Sequence, residues 1–155
     1  MTRMTLDGQL PADIHIRLLA GHAATGRPVF EVLPARQRDG GLVELIGSPG
    51  LVLGCAAGDV LRVDTDGEFE VLEQGKNLCI QAARLGDHVT PESFAALQAA
   101  FAEVGGIAEA PQDLRFVVVT VARSVGLPTI AGIMNAWSAD IDRIEWWVGN
   151  GGVAD

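Results

Sequence analysis

The first half of the chain alternates apolar and polar residues with a period of two, which is typical of half-buried β-strands. In "DIHIRLLA", Ile14, Ile16 and Leu18 lie on one side, and the polar residues lie on the other. Stretches rich in glycine and proline, such as "RDGG", "SPG" and "TDG", separate such segments and predict turns. The pattern predicts five strands, at 13–20, 29–37, 42–47, 59–64 and 68–74. We therefore expect an antiparallel, barrel-like β subdomain over 13–75.

The second half adds helical spacing to the strand pattern. Two helices are predicted, at 91–104 and 127–138. The first begins with Thr90 as N-cap and Pro91 at its first position. It places four apolar residues on one side: Phe94, Leu97, Phe101 and Val104. With the apolar strands around the helices, the order is strand, helix, strand, strand, helix, strand, which is a ferredoxin-like βαββαβ arrangement over 76–149.

The segment "RFVVVTVA" indicates how the two halves meet. Both of its faces are apolar, so both must be buried. The helices can cover one face, and we expect the N-terminal strands to cover the other. The prediction is one α+β body with a mobile start at 1–12 and a loose tail at 150–155. The predicted core contains Phe94, Leu97, Phe101, Val118, Ile130, Met134 and Trp146.

Charge narrows the classes of partner. The 155 residues carry a formal net charge of −9, and only one of the 11 basic residues is a lysine. Nucleic acids and anionic membranes require a basic surface, so we expect neither as a partner. A basic protein remains compatible with this charge. No secretory signal is recognisable and the two cysteines suit buried free thiols, so a cytoplasmic protein is expected.

Acidic residues are concentrated in one predicted hairpin. The segment from Asp59 to Glu73 holds six acids and a single basic residue, Arg62. An ordinary solvated hairpin explains this density, since charges on a water-facing strand cost little. Because like charges this close repel each other, a contact surface for a positively charged protein is the alternative. The residues of this hypothetical surface are Asp64, Asp66, Glu68, Glu70, Glu73, Asp140, Asp142, Glu145 and Trp147. Trp147 is either covered by the N-terminal strands or exposed as an anchor.

The sequence contains no recognisable catalytic pattern. Its three histidines and two cysteines lack the spacing of a metal site, and the glycine-rich stretch before Asp59 is neither a Walker loop nor a dinucleotide fingerprint. We therefore expect a non-catalytic protein without a metal or cofactor.

The stretch from Gly50 to Gln81 resembles the bacterial family known as domain of unknown function 4265. Six residues match that family's pattern by position: Gly54, Ala56, Gly58, Asp59, Val60 and Asn77. The aromatic part of the family's loop is replaced here by "SPGLVLGC". The resemblance implies a fold more than an activity. The local "AGDVLRV" also resembles the glycine–aspartate turn of small β-barrels, in which Asp59 would accept backbone N–H groups.

Two functions are compatible with these features. The first is an immunity-type inhibitor that covers the active site of a basic toxin, such as a nuclease. The second is a small-molecule-sensing module with a site lined by Cys55, Asn77 and Trp147. An inhibitor requires a clustered acidic surface, whereas a sensor requires a concave apolar site with few acids.

Overall fold

The computed structural model describes residues 14–151 of the chain. The predicted mobile start at 1–12 lies outside the described residues, as does most of the predicted loose tail. Asn150, at the start of that tail, is buried. The strands and helices are β1 (Ile14–His22), β2 (Pro28–Gln37), β3 (Val43–Leu45), β4 (Val60–Val63), β5 (Phe69–Glu73), β6 (Asn77–Arg84), α1 (Pro91–Ala102), β7 (Ile107–Glu109), β8 (Val117–Ala122), α2 (Leu127–Ser138) and β9 (Ile144–Val148).

The first five strands form one antiparallel sheet in chain order, β1–β2–β3–β4–β5. The backbone N–H of Leu19 in β1 donates to the carbonyl oxygen of Gly67 in the β4–β5 turn, at 2.8 Å. The sheet therefore curves until its first strand meets the far hairpin. Its inner face buries Leu18, Leu33, Ala35, Val43, Leu45, Val52, Cys55 and Leu61.

The other four strands form a second antiparallel sheet in the order β7–β8–β6–β9, and two helices accompany it. As predicted, Thr90 caps α1, because its hydroxyl accepts the backbone N–H of Ser93 at 3.1 Å. The fold is thus α+β, with two antiparallel sheets. Neither helix within residues 14–151 is long and apolar enough to cross a membrane.

Strand β8 is buried on both faces, as its sequence predicts. Val117, Val119 and Val121 lie in the cluster that includes the helix residues. Val118 packs instead with Ala56 and Cys79, so its prediction as a member of the helix-side core is wrong. The reason is the period of two, which points neighbouring residues of a strand to opposite faces.

The other predicted core residues belong to the helix-side cluster. Leu97, Phe101, Ile130 and Met134 are fully buried there. Phe94 and Trp146 are half-buried and pack against the same cluster. The helix faces were therefore predicted correctly.

Several strands are shorter than predicted, and two of these differences have a clear local cause. Strand β3 ends at Leu45. The backbone N–H of Ile46 still donates to the carbonyl oxygen of Pro34, but Pro34 has no N–H to donate in return, and the chain then enters "GSPG". Strand β8 begins at Val117 and not at the start of "RFVVVTVA", because Leu114, just before that segment, has a positive φ of 57° and closes a turn. Both differences arise from turns at proline-containing segments.

Candidate functional site

The acidic hairpin is built around a tight turn between β4 and β5. One carboxylate oxygen of Asp64 accepts the backbone N–H groups of Asp66 and Glu68, at 2.8 and 3.0 Å. Gly67 has a φ of 84°, a conformation that glycine adopts without steric cost. Asp64 therefore holds the turn in shape, and its carboxylate is already partly engaged.

Asp59, in the same acidic stretch, is a structural residue. It is only 2% exposed, and its two carboxylate oxygens accept the backbone N–H groups of Ala56 at 3.0 Å and Gly75 at 2.7 Å. The chains cross so closely here that a Cβ on Gly75 would lie 2.7 Å from the backbone of Gly58. The prediction that Asp59 accepts N–H groups across the turn is confirmed.

The remaining acids of the hairpin point into solvent. Asp66, Glu68 and Glu73 are exposed, and no ion pair within residues 14–151 involves them. Glu70 lies 3.5 Å from Arg62, but these side chains are 66% and 64% exposed, so the pair adds little stability. Four carboxylates are thus displayed on a hairpin whose turn is fixed by hydrogen bonds.

The other predicted contact acids lie near β9. Asp140, Asp142 and Glu145 are exposed, and Asp142 lies 3.6 Å from the guanidinium of Arg143. No hydrogen bond or ion pair in the described part of the chain joins these acids to the hairpin. A single acidic surface that contains both groups therefore stays a prediction.

Trp147 is neither covered nor fully exposed. The residue is 38% exposed, while its indole N–H donates to the Gln81 side-chain oxygen at 2.6 Å. Gln81 itself is 1% exposed. The tryptophan is therefore partly exposed to solvent, while its polar edge is bonded to a buried side chain.

The glycine-rich loop from 46 to 59 lies between the two sheets and is held by side chains from both. The carboxylate of Glu31, on β2, accepts three consecutive backbone N–H groups, from Gly50 at 2.7 Å, Leu51 at 2.9 Å and Val52 at 3.0 Å. Backbone N–H groups in such a row form a concave anion site. In this protein, the chain's own carboxylate fills it.

Residues of the second sheet hold the other side of the loop. The Gln81 amide nitrogen donates to the carbonyl oxygens of Pro49 at 2.8 Å and Val52 at 2.9 Å. The thiol of Cys79 donates to the same Pro49 oxygen at 3.1 Å, and the Thr120 hydroxyl donates to that of Ser48 at 2.6 Å. These bonds satisfy polar groups that burial between the sheets would otherwise leave unpaired.

Both cysteines are buried free thiols, as predicted. Burial, together with the nearby charge of Asp59, raises the pKa of Cys55 far above its ordinary value. Burial also raises the pKa of Cys79 to about 12. Since the thiolate is the nucleophile, these protonated thiols are unsuited to covalent catalysis at neutral pH. Among residues 14–151, no group of three or more His, Cys, Asp or Glu side chains could hold a metal ion.

Two of the three residues of the hypothetical sensor site use their polar groups within the fold, and the third is buried. Cys55 is fully buried, the Asn77 amide donates to the carbonyl oxygen of Ala57 at 2.9 Å, and Trp147 donates to Gln81. An open groove of about 260 Å³ does lie between the two sheets, lined by other residues that include Glu31, Ser48, Glu109 and Phe116. No observation on Cys55, Asn77 or Trp147 favours the sensor hypothesis.

The sequence reasoning missed Glu31, Gln81 and Asn150. Asn150 accepts the backbone N–H of Cys79 at 2.9 Å and donates to the carbonyl oxygen of Asn77 at 3.2 Å. Gln81 carried a usable signal, because a polar residue within the apolar run "LCIQAA" must find buried partners. Glu31 carried none, since it fits the ordinary alternation of its strand.

Comparison with known proteins gives a family and a fold. The sequence model of a family described as "Domain of unknown function (DUF4265)" matches residues 31–145. The crystal structure of a hypothetical protein from Neisseria gonorrhoeae is similar, with a TM-score of 0.67 and 15% sequence identity. The alignment covers 90% of this chain and 96% of that one. No curated protein matches the chain.

Proposed function

This chain belongs to the family described as domain of unknown function 4265, whose name assigns no activity, and we propose from its own surface that it is a non-catalytic protein that binds a basic protein. The contact surface is the β4–β5 hairpin, with Asp66, Glu68, Glu70 and Glu73 as its charged groups. The partner we propose is a bacterial toxin with a basic active-site cleft, such as a nuclease, which the protein inhibits in the cytoplasm.

One observation carries this proposal. Three carboxylates of the hairpin are exposed and have no ion pair among residues 14–151, and the fourth has a single exposed arginine nearby. The hydrogen bonds of Asp64 fix the turn on which they stand. A hairpin backbone that is ordered before binding has less conformational freedom to lose on association, so its exposed carboxylates suit recognition of a charged partner.

Electrostatics explains why a nuclease is a suitable target. A nuclease cleft is positively charged because it binds phosphates, and an acidic hairpin presents charges of the same sign as that substrate. Complementary charge raises the association rate, which an inhibitor of a toxin requires. The net charge of −9 acts in the same direction over longer distances.

The C-terminal half supports a finer description of the fold. We propose that residues 76–149 form a ferredoxin-like unit, because the element order is β6–α1–β7–β8–α2–β9 and the sheet order is β7–β8–β6–β9. In such a unit both helices lie on one face of the sheet. The loop from 46 to 59 and the first sheet then cover the opposite face, which includes Val118.

The test begins with capture of partners from the native cell, followed by association kinetics with the purified partner across a salt series. The double variant Asp66→Lys/Glu70→Lys reverses two hairpin charges. The matched control, Glu103→Lys/Glu109→Lys, reverses two exposed acids elsewhere and gives the same net charge. At low salt, we expect the hairpin variant to associate at least about tenfold more slowly and the control to change much less. The partner's nuclease activity should fall when the wild-type protein is added in equal amount.

Two results would refute the proposal. The first is an association rate that changes neither with the hairpin charge reversals nor with the salt concentration, because the acids would then be an ordinary solvated surface with no role in binding. The second is an equal decrease in the association rate for the two double variants, because the net charge of the protein alone would then explain the effect and the hairpin would have no specific role.

A further inference from the structure

Strand β9 is the edge of the second sheet, and one side of its backbone is unoccupied by other described residues. It pairs with β6 alone, and the pairs of Arg143 with Leu85 and Gly149 with Cys79 fix which groups face β6. Since N–H and C=O groups alternate in direction along a strand, those of Ile144, Trp146 and Val148 point outward. Within residues 14–151 these outward groups have one partner, the N–H of Gly151 on the Val148 oxygen at a long 3.3 Å.

The opposite edge of the same sheet is shorter and partly covered. Strand β7 has three residues, and the Gln98 amide on α1 donates to the carbonyl oxygen of Ala108 at 3.4 Å. In the first sheet, the bond between Leu19 and Gly67 brings the edge strand β1 against the far hairpin. Native proteins commonly protect sheet edges in these ways, and β9 has no comparable protection among the described residues.

We propose that β9 pairs with the β9 of a second copy of this chain, antiparallel and about a twofold axis at Trp146. This goes beyond the proposed function, since it concerns another surface and another partner. The two sheets would then join into one continuous sheet, with roughly six new backbone hydrogen bonds from the outward groups. The contact would be isologous, as in most homodimers.

The sequence of β9 fits this register better than it fits the two registers shifted by one residue. With the axis at Trp146, Ile144 lies opposite Val148 of the second copy and Glu145 lies opposite Trp147, so no like charges meet. With the axis at Glu145, two glutamates would lie directly opposite each other, which is unfavourable. With the axis at Trp147, Ile144 would lie opposite Asn150, beyond the end of the strand.

The helices that accompany this sheet present little charge to a second copy. Helix α2, which reaches β9 through the hydrogen bond from the Trp146 indole to Asn135, contains no charged residue. Helix α1 contains only Glu92. Two chains of net charge −9 repel each other, and Asp140, Asp142 and Glu145 add to this repulsion near β9, so the helix side is where two copies can approach with the least repulsion.

The test is the mass of the protein in solution, measured by sedimentation equilibrium over a range of concentration and salt. We expect a dimer of twice the 16.3 kDa chain mass. Salt screens the repulsion between the two copies, so dimerisation should strengthen as salt rises, which is opposite to the salt dependence expected for a basic partner. A protein that stays monomeric at all concentrations would refute the proposal.

Charge swaps test the register. Trp147→Glu places two carboxylates opposite each other on both sides of the axis and should raise the dimer dissociation constant at least about tenfold. Adding Glu145→Lys to it restores opposite charges and should recover the dimer. Thermal unfolding of each variant verifies that it is folded. A folded double variant that stays monomeric would overturn this register.

A control on α1 separates strand pairing from helix packing. Ala99→Glu changes an exposed residue on the helix associated with β7, far along the sheet order from β9. We expect it to leave the dimer unchanged. A dimer that is lost in Ala99→Glu and kept in Trp147→Glu would place the contact on the helices and refute pairing through β9.

Discussion

Replacement of Asp59 by alanine tests whether the acidic stretch contains both structural and surface carboxylates. The substitution removes the acceptor of two backbone N–H groups, those of Ala56 and Gly75. Ala56 is fully buried, so no water replaces the lost acceptor there, whereas Gly75 is half-buried. A buried donor without a partner costs about 1–3 kcal/mol. With the full cost at Ala56 and a partial cost at Gly75, we expect Asp59→Ala to lower the free energy of unfolding by about 3 kcal/mol.

This loss is large enough to measure and small enough to leave a folded protein. Domains of this size have unfolding free energies of about 5–15 kcal/mol. For a chain of about 150 residues, 1 kcal/mol corresponds to about 2–4 °C in Tm, so Asp59→Ala should melt about 6–12 °C lower. Urea unfolding followed by tryptophan fluorescence would give the free energy, and calorimetry would give the Tm.

Two further variants make the test specific. Asp59→Asn keeps the shape and one acceptor oxygen, so its loss should lie between zero and that of Asp59→Ala. Asp66→Ala removes an exposed carboxylate from the same hairpin and should change stability by less than about 0.5 kcal/mol. If Asp59→Ala and Asp66→Ala had equal effects, the distinction between a structural and a surface acid would be wrong.

Three other predictions follow from the interior. Phe101→Ala should lower the free energy of unfolding by about 3–5 kcal/mol, because the ring is fully enclosed. A Tm shift of only a degree or so would show that the helix face was assigned wrongly. Gln81→Leu leaves the Val52 carbonyl and the Trp147 indole without their partner, and leaves the Pro49 carbonyl with the Cys79 thiol alone, so it should lower the free energy of unfolding by about 2–4 kcal/mol. Trp147→Phe removes only one of these bonds and should lower it clearly less in the same urea assay. The raised thiol pKa values mean that the folded state keeps protons that the unfolded state releases above pH 9, so the free energy of unfolding should fall as pH rises from about 9 towards 12. The chain has no tyrosine and only one lysine whose titration would obscure this effect. The double variant Cys55→Ala/Cys79→Ala should flatten the dependence of the unfolding free energy on pH, and an unchanged slope in that variant would contradict the prediction.

Local features of the fold could be predicted from the sequence because their causes are local. The N-cap at Thr90 and the faces of α1 and α2 depend on residues within a few positions of each other. The hairpin turn and the role of Asp59 also follow from short motifs. The family resemblance, carried by the stretch from Gly50 to Gln81, is confirmed by the match over 31–145.

The network between the sheets could not be predicted because its partners are far apart in the chain. Glu31 and Gly50 are 19 positions apart, and Gln81 and Pro49 are 32 apart. Nothing in either local pattern specifies such a pairing. The error at Val118 has a similar origin, since alternation showed two buried faces without showing which core each face would join.

The loop between the sheets has a consequence for the order of events during synthesis. Its partners include Thr120, which is 72 positions beyond Ser48, and Gly149, whose carbonyl accepts the N–H of Gly54. A ribosome adds roughly 5–20 residues per second, so the first sheet is complete about 4–15 s before residue 149 is made. During that interval Ala56, on the finished N-terminal part, lacks Cys79 and Val118 of the second sheet, which later pack against it. The nascent chain therefore exposes apolar surface until its last strand arrives, and that period is when chaperone binding would matter most.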